Sequence, residues 1–106
     1  MEAWAREELD AAHAAAGGLY HEFLRVPALS CGLYVLPAGA EDPQSPHTED
    51  EIYHVLAGRA RIAVGGELRD VAAGDTVFVA AGVPHRFCDI AEELRVLVVF
   101  GPAERD

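Results

Sequence analysis

The residues able to do chemistry cluster in two short stretches. His47 and Glu51 stand four apart in PQSPHTEDEIYHVLAG (43–58), and His85 lies in GDTVFVAAGVPHRFCD (74–89). Alternate side chains of an extended strand share a face, so His47 and Glu51 fall on one side together with Tyr53 and Val55. A carboxylate on an otherwise apolar face needs a partner, because burying it unpaired costs several kcal/mol. A metal ion, an arginine or open solvent would each serve. In the second stretch Gly74 and Asp75 make a turn, TVFVA a strand, and residues 81–84 a bend from which His85 opens a strand shared with Phe87. Two strands that each open on a histidine beside a turn can bring the two imidazoles together inside a small barrel. The rest of the acidic run EDPQSPHTEDE reads as a solvated loop, with Glu49 in a turn between Thr48 and Asp50.

The elements that must position these residues are short. Residues 2–16, EAWAREELDAAHAAA, are strong helix formers closed by Gly17 and Gly18, with only Trp4 and Leu9 as large apolar groups. From residue 19 the pattern breaks into eight strand-length pieces: LYHEFLRV, ALSCGLYVL, EIYHVLAG, RARIAV, ELRDV, TVFVA, HRFCD and LRVLVVF. Many short strands at such spacing predict an all-β sandwich or barrel. Gly65 and Gly66 mark a tight hairpin. The expected organisation is one domain over 1–106, with a helix in 1–18, a β-barrel in 19–100 and a loose polar tail, GPAERD, in 101–106. His13, His21 and His54 read as packed or hydrogen-bonded histidines, and Arg59, Arg61 and Arg86 as outward-facing side chains.

Eighteen acidic against eight basic residues give a formal charge of −10 over 106 residues. That charge repels phosphate backbones and anionic lipid, which argues against nucleic-acid and membrane partners. No apolar run reaches the length of a signal peptide core or a membrane span, and Cys31 and Cys88 have neither CxxC spacing nor the density of a disulfide framework. A cytoplasmic protein with free thiols is the expectation.

The two stretches resemble the paired motifs of the cupin superfamily. Gly39, Ser45, His47, Glu51 and Gly58 have the spacing of its first motif, and Gly74, Ala80, Gly82, His85 and Asp89 that of its second, with 15 residues between Gly58 and Gly74. The resemblance implies an all-β jelly-roll (double-stranded β-helix) barrel with a short N-terminal helix, similar to small bacterial monocupins. It implies His47, Glu51 and His85 as ligands of one divalent metal, with Fe, Mn, Ni, Zn and Cu all compatible. Ser45 stands where the family has its first metal-binding histidine. Gln44 is an alternative oxygen donor, although strand alternation gives the inward parity to Ser45; water or substrate are the other ways to complete the coordination. A site with open positions implies a small organic ligand, and dioxygenase, isomerase or lyase chemistry. The alternative is a non-catalytic module that binds or senses a small ligand. The thin helix and the open sheet edges imply a homodimer.

Overall fold

The computed structural model describes residues 1–44 and 46–105. The helix α1 (Arg6–Ala16) begins four residues later than the alanine-rich pattern suggested and ends at Gly17, which takes φ 73°. It buries none of its residues. The barrel holds it through Arg95, whose guanidinium donates to Asp10 at 2.8 Å, and through His13, whose ring meets the Leu19 carbonyl at 2.7 Å. Trp4 adds an edge-on contact with Phe23 at 4.9 Å.

Six strands follow: β1 (Tyr20–Val26), β2 (Leu29–Leu36), β3 (Asp50–Val64), β4 (Glu67–Ala72), β5 (Thr76–Val79) and β6 (His85–Gly101). They form one antiparallel sheet in the order β1-β2-β6-β3-β4, with β5 paired to β3. The expected count of eight is corrected because two pairs of predicted pieces are continuous strands. EIYHVLAG runs into RARIAV as β3, and HRFCD into LRVLVVF as β6. Gly58 is the reason the first of these is not a turn. It sits at φ 93°, and a Cβ there would overlap the Glu93 carbonyl, so the glycine lets β3 bend while staying paired.

β3 and β6 pair along their whole length, from Asp50 opposite Gly101 to Val64 opposite His85, with register shifts between Val55 and Arg61. Were the ladder straight, Glu51 and His85 would lie roughly 40 Å apart, at about 3.3 Å per residue. Their side-chain atoms are 3.0 Å apart. The sheet therefore folds over at the bulges and closes on itself, and that closure makes the site. Inside, Tyr53, Val55, Ile62, Phe87, Leu94 and Val96 form part of one buried cluster. Among the described residues no helix is long and apolar enough to cross a membrane.

Candidate metal centre

His85 and Glu51 meet in the barrel with both side chains 1% exposed. Nδ1 of His85 lies 2.9 Å from the Val83 carbonyl, an acceptor only, so this nitrogen carries the proton. Nε2 of the neutral ring is then a bare lone pair, and it points at Glu51 Oε1 at 3.0 Å. The distance suits a hydrogen bond but the alignment does not. Among the described residues, Nε2 of His85 and both Glu51 oxygens are buried without a hydrogen-bond partner. Burial alone would lower the His85 pKa; the Glu51 and Val83 contacts and the charges of Glu51 and Asp42 outweigh it and hold the imidazole above its ordinary range. Electron-rich buried atoms turned towards one another are what a cation would reconcile.

His47 joins them by a different route from the one alternation suggested. β3 begins at Asp50, and residues 41–47 are irregular, so His47 is placed by a loop. Two bonds fix that loop, Gly82 N–H to the His47 carbonyl at 2.7 Å and Phe87 N–H to Asp42 at 2.9 Å, and Ala81 N–H to Asp50 at 2.8 Å fixes the start of β3 after it. Ligand atoms of His47, Glu51 and His85 consequently lie within 4.8 Å of one another. Two donors each about 2.1 Å from a shared ion stand roughly 3.0–3.4 Å apart when adjacent and about 4.2 Å when opposite in an octahedron. The donor set suits a divalent transition metal, and the 4.8 Å span of its atoms is a few tenths of an ångström wider than the span across such an ion.

Gln44 also reaches the cluster. Its amide nitrogen donates to Asp42 at 2.7 Å, which turns Oε1 towards the Tyr53 hydroxyl at 2.8 Å and His47 Nε2 at 3.3 Å. Parity argued against Gln44, but parity applies only within a strand. Ser45 lies outside the described residues.

Other residues here carry no motif signal. Asp42, 8% exposed, accepts from the Tyr34 hydroxyl at 2.5 Å as well as from Gln44 and Phe87, and so fastens the irregular loop to two strands. Glu49 is corrected from a solvated turn residue: it is 3% exposed and accepts from the Thr48 hydroxyl. The segment after β6 is likewise not loose. Glu104 N–H donates to Ser30 Oγ at 2.9 Å, Arg25 donates to the Glu104 carbonyl at 2.5 Å, and Glu104 Oε2 lies 3.2 Å from His47 Nδ1. Burial raises the Glu104 pKa, His47 opposes that, and the negative charges of Glu51, Glu49 and Glu22 add to it. His54 bonds Thr76 at 2.9 Å, in keeping with a hydrogen-bonded role.

A cavity of about 120 Å³ opens beside the cluster, lined by Tyr20, Gln44, His47, Glu51, Phe100 and Glu104 among others. The Tyr20 ring lies over Gly32, where a Cβ would overlap it, and its hydroxyl is buried without a partner among the described residues. Burial and nearby carboxylates, Glu104 first, push the phenol up, so it stays a donor.

The family model described as "Cupin domain" matches residues 32–100. An uncharacterised protein of Streptomyces coelicolor is 53% identical over 104 residues, 98% of this chain and 99% of that protein. The crystal structure of DMSP lyase DddQ from Ruegeria pomeroyi DSS-3 superposes with a TM-score of 0.68 at 31% identity, over 72% of this chain and 39% of that one. The chain thus spans about two-fifths of the lyase's length. A RmlC-like cupin from Shewanella frigidimarina superposes with a TM-score of 0.70 over 79% of this chain and 75% of that one; at 24% identity this is a likeness of fold.

Proposed function

Since the chain belongs to the cupin domain family, we propose that it holds one divalent metal ion on His47, Glu51 and His85, with Gln44 as a fourth, neutral donor. The ion would be Fe, Mn, Ni, Zn or Cu, and its open positions would face a small organic molecule in the adjoining cavity. The observation that carries this is Nε2 of His85 turned towards two unpartnered oxygens of Glu51, all three atoms buried, with Nδ1 of His85 at the Val83 carbonyl. The metal, when bound, supplies Lewis acidity to a ligand oxygen. The chain itself does the rest. Asp42 and Val83 orient Gln44 and His85, Phe100 and Val98 make the cavity wall apolar, and the Tyr20 hydroxyl offers a hydrogen bond to an acceptor on the ligand.

Among the metal-dependent dioxygenase, isomerase and lyase reactions considered, the likeness to a lyase lends most support to the last. The cavity, about 120 Å³, suits a molecule of a few heavy atoms. The test begins with elemental analysis of the purified protein and of His47→Ala and His85→Ala. Near-stoichiometric metal in the wild type, lost in both variants, supports the site; a wild type that takes up none of the five metals rejects it. The second reading, a binding or sensing module without turnover, is favoured by the raised pKa values of Tyr20, Tyr34 and Tyr53, which leave the phenols lining or adjoining the cavity as donors and not bases. Ligand-induced stabilisation of the metal-loaded protein with no product formed would select that reading.

The free thiols Cys31 and Cys88 support a cytoplasmic setting. We also propose a homodimer. Ile52 and Phe78, 43% and 61% exposed, are cross-strand partners on the outer face of β3 and β5, and Leu68 lines a groove with Phe78. Light scattering should give about 23 kDa, twice the 11.4 kDa chain, and a monomer at micromolar concentration would sink the idea.

A further inference from the structure

Both ring nitrogens of His47 face acceptors: Nδ1 lies 3.2 Å from Glu104 Oε2 and Nε2 3.3 Å from Gln44 Oε1. A neutral imidazole has one N–H and can satisfy only one of them. The Nε2 contact has hydrogen-bond geometry and the Nδ1 contact an ion-pair distance, but the carboxylate is the stronger acceptor, and a proton drawn to Nδ1 leaves Nε2 as a lone pair beside Gln44 Oε1. We propose that Glu104 is the positioning residue of His47, fixing its tautomer and ring orientation so that Nε2 serves as a ligand, and that the segment after β6 is thereby part of the site.

Three features argue that this is a built arrangement. Glu104 is held by its main chain, N–H to Ser30 Oγ and carbonyl to Arg25, independently of its carboxylate. Ser30 itself is fully buried in β2, so the anchor is a fixed point of the barrel. The His47 ring is seated edge-on against Phe100 at 4.9 Å, which restricts its tilt and leaves tautomer choice to the two polar neighbours. His85 has the same design by another route, with Nδ1 committed to the Val83 carbonyl. Each histidine of the cluster thus spends one nitrogen on a second partner, the usual way of orienting a metal-binding imidazole. Glu104 lies beyond the residues 32–100 that match the family model, so this contact belongs to the chain's own flanking segment.

The coupling to metal rests on the site proposed above, but the tautomer can be read without metal. Long-range ¹⁵N–¹H NMR of the chelator-treated protein at about pH 8.5, with His47 assigned by its loss in His47→Ala, should show the Nδ1–H form. In Glu104→Ala the ring should shift towards the Nε2–H form. Glu104→Gln, which keeps an acceptor, should restore Nδ1–H. A wild-type ring in the Nε2–H form, or protonated on both nitrogens, would overturn the proposal whatever the variants do, and so would ring shifts unchanged in Glu104→Ala. Metal titration then reads the consequence: affinity should fall about 10- to 100-fold in Glu104→Ala and by less in Glu104→Gln. Equal affinity in the wild type and Glu104→Ala would overturn the positioning role. A wild type that shows the Nδ1–H form yet takes up no metal would sink the metal reading while leaving the tautomer assignment standing.

Discussion

The metal-free protein should be more stable without Glu51. The carboxylate is 1% exposed, its two oxygens have no hydrogen-bond partner among the described residues, and the lone pair of His85 faces one of them at 3.0 Å. An unsatisfied buried polar group costs about 1–3 kcal/mol, and more when it is charged. Glu51→Met keeps the length of the side chain and removes the charge, leaving His85 Nε2 as the remaining orphan. A gain of about 1–3 kcal/mol follows, or roughly 5–15 °C in Tm for a domain of this size. The gain should shrink on acidification. His85 has a folded pKa above its unfolded value, so its pairing with Glu51 is fully present below the unfolded pKa and is lost as pH rises through the folded one. At pH 8 the wild type lacks that help, and the variant's advantage is largest. Metal reverses the order: an ion at 1,000 times its Kd stabilises the wild type by about 4 kcal/mol and the variant by nothing. Urea unfolding at pH 6 and pH 8, with chelator and then with excess metal, reads all of these quantities. A metal-free Glu51→Met less stable than wild type by more than about 1 kcal/mol, or one with an undiminished metal increment, would refute the reasoning.

Asp42→Ala leaves the buried Tyr34 hydroxyl and Phe87 N–H without their acceptor and should cost about 3–5 kcal/mol in urea unfolding, whereas Asp70→Ala, at a side chain 85% exposed, should stay within about 0.5 kcal/mol. All three tyrosines, Tyr20, Tyr34 and Tyr53, have phenol pKa values raised chiefly by burial, so the folded state keeps protons that the unfolded state releases above about pH 10. Absorbance at 295 nm should show no phenolate at pH 11 in the folded protein, and stability should fall from pH 10 upward by as much as about 4 kcal/mol per pH unit; phenolate appearing at pH 10 without unfolding would contradict this.

What could be read from the sequence divides along a physical line. The strand pieces, the helix and the meeting of His47, Glu51 and His85 were legible because alternation and motif spacing are local properties, and a residue such as Glu51, at the start of an apolar strand, announces its inward face. The continuity of β3 through Gly58 was not legible, since a glycine between two apolar runs reads as a turn until the neighbouring carbonyl that it accommodates is known. Asp42 and Glu104 were hidden for a related reason. Their partners, Phe87 and His47, lie 45 and 57 positions away and are brought to them only by closure of the barrel. Gln44 is the instructive middle case. Its candidacy came from its chemistry and was opposed by parity, yet residues 41–47 form no strand, and Asp42 turns the amide oxygen towards His47. Periodicity holds only within a regular element, and at this site the loop that carries Gln44 and His47 is held by the buried Asp42. Spacing therefore identified which residues meet, while the polar groups that orient them had to come from the three-dimensional structure.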